Sequence, residues 1–492
     1  MADGIPLLIN SGSYIAKSVN FSYQVCENLY PESIPEDTKP PVPVAHFQRP
    51  GKTIVGSPVL SNAGAAGVGR GLFTDSSGQL YAVVGSVVYF VDPAWRFFTL
   101  GNIAVGTNPT SMADNGKTAG GDVVLVDGTT TGYTIDMTTF AMAPIVDGTG
   151  LFTGADVVAY LQTFFLFNTV PNTQSFIISQ PDSVTFDPLD IAAKSSYPDN
   201  IATIGIRQRE PWLFGSVAAT EPWYLSGALD FPFEAIPSVY VSYGVASKYS
   251  VVFADDSLFW VSRNTQGKGI IVKSEGYAAK RISTHAIENE IQKYPTIADA
   301  VSAVYQIEGH TFIVFTFPSG DATWVYDLAT KQWHKSTWTD SDGVAHRDRA
   351  IFYQQAYGST VALDWENGNL YMIDPEVYTD NGDPIVFRRG FPHVLKSMDR
   401  ITHWCLTVNM ECGTILDPNA ETPLLNMRHS DDAGHTWSDP RQTSMGNVGE
   451  YLTTPQFQQL GMTRDRVYEL FWSSNMKTAL LAAYLDAEEA ES

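Results

Sequence analysis

Short apolar runs alternate with polar turns along most of the chain. Seven stretches have the form of β-hairpins, in which two β-rich runs flank a turn of Gly, Asp, Asn or Pro. These stretches are 78–92, 121–136, 160–179, 209–227, 248–272, 309–335 and 358–375. They start about 40 to 60 residues apart, and about four strands per unit at such spacing is typical of a β-propeller. A pair of β-sandwiches is the alternative fold.

The pattern changes at two places. Residues 283–305 carry apolar side chains at partly helical spacing, with Ser283 or Thr284 as N-cap, and predict a short helical insertion interrupted near Pro295. Beyond residue 385 the alternating stretches become longer. The sequence therefore predicts an all-β fold, a β-propeller of about six or seven blades with an additional C-terminal β-sandwich-like domain. The predicted boundaries are 1–60 for an N-terminal segment that leads into the propeller and can close it, 61–384 for the propeller, and 385–492 for the terminal domain.

Composition narrows the class of protein. The 492 residues are 44% hydrophobic, which is enough for a packed core. Lys and Arg number 30 against 53 Asp and Glu, so the formal net charge is −23. Such a surface repels polyanions and argues against tight binding of nucleic acid through phosphate contacts.

The cysteines and the N-terminal sequence bear on the compartment. Cys26, Cys405 and Cys412 are too few for a disulfide framework. The opening MADGIPLLIN lacks the basic region and long apolar core of a secretory signal, and no run approaches 18 apolar residues. We expect assembly in a cytoplasm, with free thiols and no membrane span.

One short motif suggests sugar chemistry. Ser430, Asp432, Gly434, Thr436 and Trp437 match the Ser-x-Asp-x-Gly-x-Thr-Trp pattern of the Asp-box, which sialidases carry in several copies. Turn geometry explains each residue type without a substrate: Asp accepts backbone hydrogen bonds, Gly supplies positive φ and Trp packs over the loop. The motif occurs once, and the Arg-Ile-Pro element of sialidases is absent. We interpret it as a structural turn.

Other candidate sites are weaker, and the sequence predicts no catalytic residue, cofactor or metal. His403, Cys405 and Cys412 lack a second Cys-x-x-Cys element for structural zinc. The acidic stretches 340–343 and 380–383 begin like calcium loops but lack the remaining ligands. Incidental cation binding there stays open. Two Glu-Pro-Trp elements place Trp212 and Trp223 either in blade packing or in a sugar- or partner-binding pair.

The N-terminal third resembles a known family. Asn28, Tyr30 and Pro31 lie in VCENLYPES, Pro50 and Gly51 in FQRPGKTIV, and Arg70 and Gly71 open a Leu-Tyr-x-Val-x-Gly hairpin. In this order the motifs resemble the packaged-DNA stabilisation proteins of short-tailed bacteriophages, also called tail nozzle or tail accessory proteins. Residues 179–206 also fit, except that Lys194 stands where an acidic residue is common.

The resemblance implies a structural virion protein and no catalytic residues. Such proteins form a homohexameric ring, a nozzle or plug below the portal and adaptor, which retains the packaged genome and conducts it during ejection. Expected partners are further copies of the chain, the adaptor and portal complex, tail fibre, spike or needle proteins, and double-stranded DNA that passes without tight binding. Two alternatives stay open: a carbohydrate-active or carbohydrate-binding propeller, and a receptor-binding tail protein.

Overall fold

A computed structural model describes residues 5–7, 9, 11–34, 44–117, 120–228, 230–397, 399–414 and 421–489. Within these residues the fold is all-β: seven four-stranded blades form a β-propeller, and two further sheets form a sandwich beside it. The predicted fold class is therefore confirmed, with seven blades.

Each blade is built around one of the predicted hairpins. The strands of blades one to four are Gly69–Thr74, Leu80–Val84, Val87–Val91, Phe97–Asn102; Ser111–Asp114, Asp122–Val126, Gly132–Asp136, Met142–Pro144; Val158–Leu161, Phe164–Asn168, Ser175–Ile178, Ile191–Ala193; and Ile201–Arg207, Glu210–Gly215, Thr220–Leu225, Phe233–Ala235. The strands of blades five to seven are Val252–Ala254, Ser257–Arg263, Gly269–Glu275, Ala278–Arg281; Val301–Ile307, His310–Phe317, Ala322–Asp327, Trp333–Thr339; and Ala350–Ala356, Ser359–Asp364, Leu370–Asp374, Gly51–Gly56. The first strand of every blade contacts the first strands of both neighbouring blades, so these strands form a closed inner ring.

A repeated aspartate shapes the turn between the third and fourth strands. Asp92 directly follows the third strand of blade one, and Asp136 and Asp327 end the third strands of blades two and six. Each accepts hydrogen bonds from backbone N–H groups two or more residues later. An aspartate at this position turns the chain because its side chain replaces a backbone acceptor. The same local device thus sets the entry to the outer strand in blades one, two and six.

The seventh blade takes its outer strand from the beginning of the chain. Gly51–Gly56 pairs antiparallel with Leu370–Asp374, from Gly51 opposite Asp374 to Gly56 opposite Leu370. Residues about 320 positions apart in sequence therefore complete one sheet. This pairing joins the two ends of the propeller and closes the ring.

The terminal domain is a sandwich of two sheets. One sheet contains Gln456–Thr463, Ile401–Met410, Ala479–Glu489, Val44–Gln48 and Leu29–Ser33, with Ile5–Leu7 paired to Ala479–Glu489. The other contains Cys26–Glu27, Phe387–Gly390, Asp465–Trp472, Leu424–Ser430 and Arg441–Ser444, with Val394–Leu395 paired to Asp465–Trp472. Cys26–Glu27 also pairs with Trp333–Thr339, so this second sheet continues directly into blade six.

Much of the N-terminal segment belongs to this terminal domain. Leu7, Ile9, Cys26 and Leu29 are buried in the same apolar core as Trp472. Tyr14–Ile15 and Tyr23–Gln24 form a small separate hairpin. Thr379–Asp380 pairs with Asp383–Pro384 and, in parallel, with Gly51–Gly56, so these two short strands extend the sheet of blade seven. Residues 5–7 therefore lie in the sandwich, the chain crosses to the seventh blade at residue 51, and it returns to the sandwich after the propeller.

The helical stretch is shorter than its sequence pattern suggests. A helix covers His285–Ile291, with the Thr284 hydroxyl accepting from the Ile287 N–H as N-cap. A three-residue 3-10 turn covers Pro318–Gly320. Residues 301–305 are not helical, because Val301–Ile307 pairs with His310–Phe317 as the inner strand of blade six. Among the described residues, no helix is long and apolar enough to cross a membrane.

The two tryptophans of the Glu-Pro-Trp elements pack between blades. Trp212 is fully buried, near Phe214 of its own strand and Trp260 of the next blade. Trp223 is 6% exposed and meets Phe176 of the preceding blade edge-on, with ring centroids 5.1 Å apart. Their burial favours the packing interpretation over a sugar-binding pair.

Candidate functional site

Asn28 lies where the propeller and the sandwich meet. It is fully buried, and its φ of +57° is a left-handed conformation that asparagine tolerates better than most residues. Its side-chain amide donates to Thr337 Oγ1 (2.9 Å) in blade six and to the Val386 carbonyl (2.8 Å) beside the sandwich. Its Oδ1 accepts from the Thr337 N–H (2.8 Å) and from Arg49 Nε (2.8 Å). One side chain therefore ties three segments together.

Four buried charged residues extend this contact, and we call them the junction cluster: Arg49, Lys52, Asp348 and Asp380. The Arg49 guanidinium donates to both carboxylate oxygens of Asp380, at 3.0 and 2.5 Å. Lys52 Nζ lies 2.6 Å from Asp348 Oδ1 and 3.3 Å from Asp380 Oδ1. All four side chains are at most 5% exposed. The cluster joins the closing strand of blade seven to the segment that enters the sandwich.

Electrostatics keep Arg49 and Asp348 ionised. Burial alone lowers the pKa of Arg49, but the carboxylates of Asp380 and Asp348 overcome this and raise the pKa above its ordinary value. Burial alone raises the pKa of Asp348, and the charges of Lys52 and Arg49 overcome it and hold the pKa well below its usual range. Neither group exchanges a proton near neutral pH. The balanced charges suit the stabilisation of a domain junction. General acid–base catalysis needs a group that titrates near the working pH, and neither Arg49 nor Asp348 does so.

Tyr30 and Pro31 lie beside the junction. Both belong to the strand Leu29–Ser33, in which Pro31 is opposite His46. Tyr30 is 4% exposed, and its ring meets the Phe312 ring of blade six edge-on at 5.3 Å. Tyr30 therefore adds apolar contact between the sandwich and the propeller.

Pro50 and Gly51 sit where the chain crosses into blade seven. A Cβ atom at Gly51 would lie 2.3 Å from the Val377 carbonyl oxygen and 2.6 Å from that of Thr379. Because backbone atoms cannot give way as flexible side chains can, only glycine fits. This close approach places Lys52 next to Asp380.

Arg70 and Gly71 lie apart from the junction, on the inner strand of blade one. The buried Arg70 side chain donates to the carbonyls of Asn108 (2.7 Å), Ala104 (2.9 Å) and Gly85 (3.0 Å). A Cβ atom at Gly71 would lie 2.2 Å from Thr110 Oγ1, at the entry to blade two. These two residues therefore hold blade one against the segment that leads to blade two.

The Asp-box residues form a hydrogen-bonded turn in the sandwich. Asp432 Oδ1 accepts from the N–H groups of His435 (3.0 Å) and Thr436 (2.8 Å), and Oδ2 accepts from Thr436 Oγ1 (2.7 Å). The Ser430 hydroxyl donates to Asp432 Oδ1 (2.7 Å) and accepts from the Gly434 N–H (2.7 Å). The bonds from Thr436 hold the pKa of Asp432 well below its usual range. The Asp432 carboxylate therefore accepts hydrogen bonds from groups of its own turn.

Trp437 completes the turn by packing on the N-terminal segment. Its ring centroid is 5.1 Å from that of Tyr23, and the Arg428 guanidinium lies 4.7 Å above the ring. Gly434 has a φ of +97°, which allows the chain to reverse before the tryptophan. The motif thus fastens residue 23 to the terminal domain.

Replacing Asp432 with alanine is expected to lower the thermal unfolding midpoint of the terminal domain, because several N–H and O–H groups lose one acceptor. The measurement is differential scanning calorimetry, with the exposed Asp439→Ala as the matched control. A midpoint unchanged from wild type in Asp432→Ala would contradict the structural role.

The candidate metal ligands do not converge. The His403 ring is hydrogen-bonded to the Tyr468 hydroxyl at 2.8 Å, and Cys405 is near Thr407. Asp380, which begins one candidate calcium loop, is paired with Arg49 and Lys52. Within the described ranges, no group of three or more His, Cys, Asp and Glu side chains could hold a metal ion.

The axis of the propeller contains small cavities. One of about 300 Å³ is lined by inner-strand residues that include Ser111, Thr203 and Ser302, and a second of about 420 Å³ shares Ser302 and Phe352 with it. Lys248 at the lining of the first pairs with Asp156 at 2.5 Å. Cavities of this volume match small-molecule pockets.

Sequence reasoning missed the junction cluster. Arg49 and Lys52 flank the Pro-Gly turn. A buried cation needs a charged partner, but the sequence alone does not show that these two side chains are buried. Asp348 and Asp380 lie about 300 residues further along the chain and resemble ordinary loop aspartates. Lys194, the departure from the family pattern, is buried and paired with Asp199.

The fold and junction define a β-propeller protein whose terminal sandwich is fastened to the propeller by its N-terminal segment. The chain belongs to the phage stabilisation family described as "Bacteriophage P22 Gp10, beta-propeller", whose model matches residues 5–378. The resemblance seen in the sequence is thereby confirmed, and the protein is placed among phage structural proteins.

Two solved structures of very different sequence are similar to the chain, each with a TM-score below 0.5. The WD40 β-propeller domain of Doa1 is 7% identical with a TM-score of 0.39, over 66% of this chain and 96% of that chain. A chain of the mitotic checkpoint complex is 9% identical with a TM-score of 0.43, over 67% and 93%. No curated protein matches the chain.

Proposed function

We propose that this protein is a non-enzymatic component of a short-tailed phage tail. Copies of the chain form a ring, which we take to be a homohexamer, that extends the DNA channel below the portal and adaptor. The ring retains the packaged genome and conducts it during ejection. The single observation that carries this proposal is the family match over residues 5–378.

Charge supports the proposed conduction of DNA. A formal net charge of −23 makes the surface repel phosphates, so a duplex slides past without being held by counterion release. The cavities on the propeller axis, about 300 and 420 Å³, have the volume of small-molecule pockets. We therefore place the DNA channel between subunits and not along the axis of a propeller.

The contacts that join the two domains support a role in which the subunit is under mechanical force. The junction cluster and the shared sheet through Cys26–Glu27 join the propeller and the sandwich. A subunit joined in this way keeps its shape when DNA pressure acts on it. Assembly in the host cytoplasm, and contacts with the adaptor, portal and tail fibre, spike or needle proteins, belong to the same proposal.

The test is electron microscopy of phage particles that contain the chain, together with particles made without it. We expect six copies in the tail below the adaptor, and loss of packaged DNA when the chain is absent. Complementation with Glu275→Ala, which alters an exposed ion pair on blade five, serves as the control that should restore DNA retention.

Three results would decide against the proposal. Absence of the chain from normally assembled phage particles would rule out the structural role. A trimer at the tail periphery would favour a receptor-binding protein. Hydrolysis or binding across a broad glycan panel would favour a carbohydrate-active propeller.

A further inference from the structure

An apolar loop projects from one end of the sandwich, and we call residues 447–454 the Leu452 loop. Leu452 is 96% exposed, Tyr451 67% and Val448 46%. Single exposed apolar residues are ordinary, but three on one short loop form a patch of the kind that marks contact sites.

The Leu452 loop is held in a defined conformation. The Asn447 N–H donates to Glu450 Oε2 (2.7 Å), and the Glu450 N–H donates back to the Asn447 carbonyl (3.0 Å). The Gly449 N–H donates to the Gly413 carbonyl (3.1 Å), which ties the loop to the sandwich. A loop ordered in advance loses little conformational entropy when it binds.

An apolar groove lies at the other end of the same domain, and we call it the corner groove. It has a volume of about 650 Å³ and lies where the edge strand Ile5–Leu7 of one sheet faces Val394–Leu395 of the other. Its apolar lining includes Ile5, Leu7, Pro392, Val394, Leu395 and Ile401, and the Lys396–Glu489 ion pair lies at the same groove. The volume is sufficient for large side chains of a partner.

The strand Ile401–Met410 connects the two features. Ile401 lines the corner groove, and near the other end of the strand the Val408 N–H donates to the Pro455 carbonyl (2.9 Å), directly after the Leu452 loop. Ten residues of β-strand span about 30 Å. The loop and the groove thus lie at opposite ends of one rigid sheet.

We propose that the Leu452 loop of one copy inserts into the corner groove of a second copy of this chain. Opposite placement makes the contact head-to-tail, which is the kind of interface that closes into rings. Because each copy carries a formal charge of −23, copies repel one another except where apolar patches meet. The inference deepens the proposed function, on whose ring it rests.

The test is sedimentation velocity of the full chain over a wide concentration range. We expect wild type to self-associate and Leu452→Asp to weaken the association at least about 100-fold, because a charge would enter an apolar groove. Val105→Asp is the matched control, since Val105 is 93% exposed on a propeller loop, and it should associate like wild type. Leu452 is so exposed that its replacement leaves folding unchanged.

A mixing experiment tests the head-to-tail geometry. Leu395→Asp blocks the groove and keeps the loop, whereas Leu452→Asp blocks the loop and keeps the groove. Each variant alone should stay monomeric, and an equimolar mixture should form dimers and nothing larger. Larger assemblies in the mixture, or no dimers, would overturn the proposal.

Failure of this inference differs from failure of the proposed function. Wild type that stays monomeric at every concentration, or Leu452→Asp that associates like wild type, would overturn the proposed contact between loop and groove. Six copies in the tail of phage particles would still support the proposed function in that case.

Discussion

Replacing Asp380 with alanine is expected to lower the free energy of unfolding by about 3–5 kcal/mol. The substitution leaves Arg49 without its paired carboxylate and leaves Lys52 with Asp348 alone. Both cations stay 3–4% exposed, so water cannot replace the lost partner. Equilibrium denaturation by urea, followed by tryptophan fluorescence, measures the change.

The matched control removes an exposed carboxylate. Glu275 and Lys280 form an ion pair at 3.3 Å with side chains 60% and 59% exposed. Glu275→Ala is expected to change the free energy of unfolding by less than about 1 kcal/mol, because solvent screens such pairs. Equal losses in Asp380→Ala and Glu275→Ala would contradict the stabilising role of the junction cluster.

The blades were predictable because their information is local. In blade one, the hairpin turns at Gly85 with a φ of +59°. In blade five, Asp255 and Asp256 have φ values of 46° and 54°, as a tight hairpin turn requires. In each hairpin, the turn residues and the alternating apolar and polar positions lie within about 15 residues of one another. Local periodicity in the sequence therefore reveals each blade.

The junction was not predictable because its partners are distant in sequence. Glu27 pairs with Lys335 and Arg388, and Gly51 with Asp374, and no periodicity links such positions. The strand 301–307 was missed for a related reason. Its Val301 and Ala303 suit either a helix or a strand, and the pairing with His310–Phe317 decides.

The family motifs gained a physical meaning only in three dimensions. Asn28 and the Pro50-Gly51 pair belong to separate sequence motifs but meet at the junction. Arg70 and Gly71 instead stabilise the contact between blades one and two. The sequence order suggested the family, and the contacts suggest why those residue types occur there. The Asp-box, which resembled an enzyme motif, fastens Tyr23 through Trp437.

Several buried histidines are kept neutral by the fold. Burial lowers the pKa of His334 to about 4, and burial followed by the Arg466 charge lowers the pKa of His403 to about 4. Burial also lowers the pKa of His46 and His429. Hydrogen bonds to aspartates act in the opposite direction and raise the pKa of His310 and His346. Between about pH 6.5 and about pH 4, the histidines with a raised pKa are protonated in both the folded and the unfolded chain, so only those with a lowered pKa change the stability there.

Stability is therefore expected to fall as the pH decreases from about 6.5 to about 4. In this window the unfolded chain binds protons at histidines that stay neutral in the folded chain, so protonation favours unfolding. Each histidine that stays neutral contributes at most about 1.4 kcal/mol per pH unit, so His334 and His403 together give up to about 3 kcal/mol per unit. Below the folded pKa of about 4, His334 and His403 are protonated in both the folded and the unfolded chain, so they cause no further loss of stability.

Urea denaturation at several pH values between 7.5 and 4.5 measures this slope, and His334→Gln assigns part of it. His334 is 1% exposed, and its ring meets Phe312 edge-on at 5.7 Å, so the substitution lowers stability at every pH. The slope is the informative quantity, because glutamine does not titrate. We expect it to decrease by about 1.4 kcal/mol per pH unit. An identical slope in wild type and His334→Gln would mean that His334 is already protonated in the folded chain, and the loss of stability in acid would then have to arise from other groups.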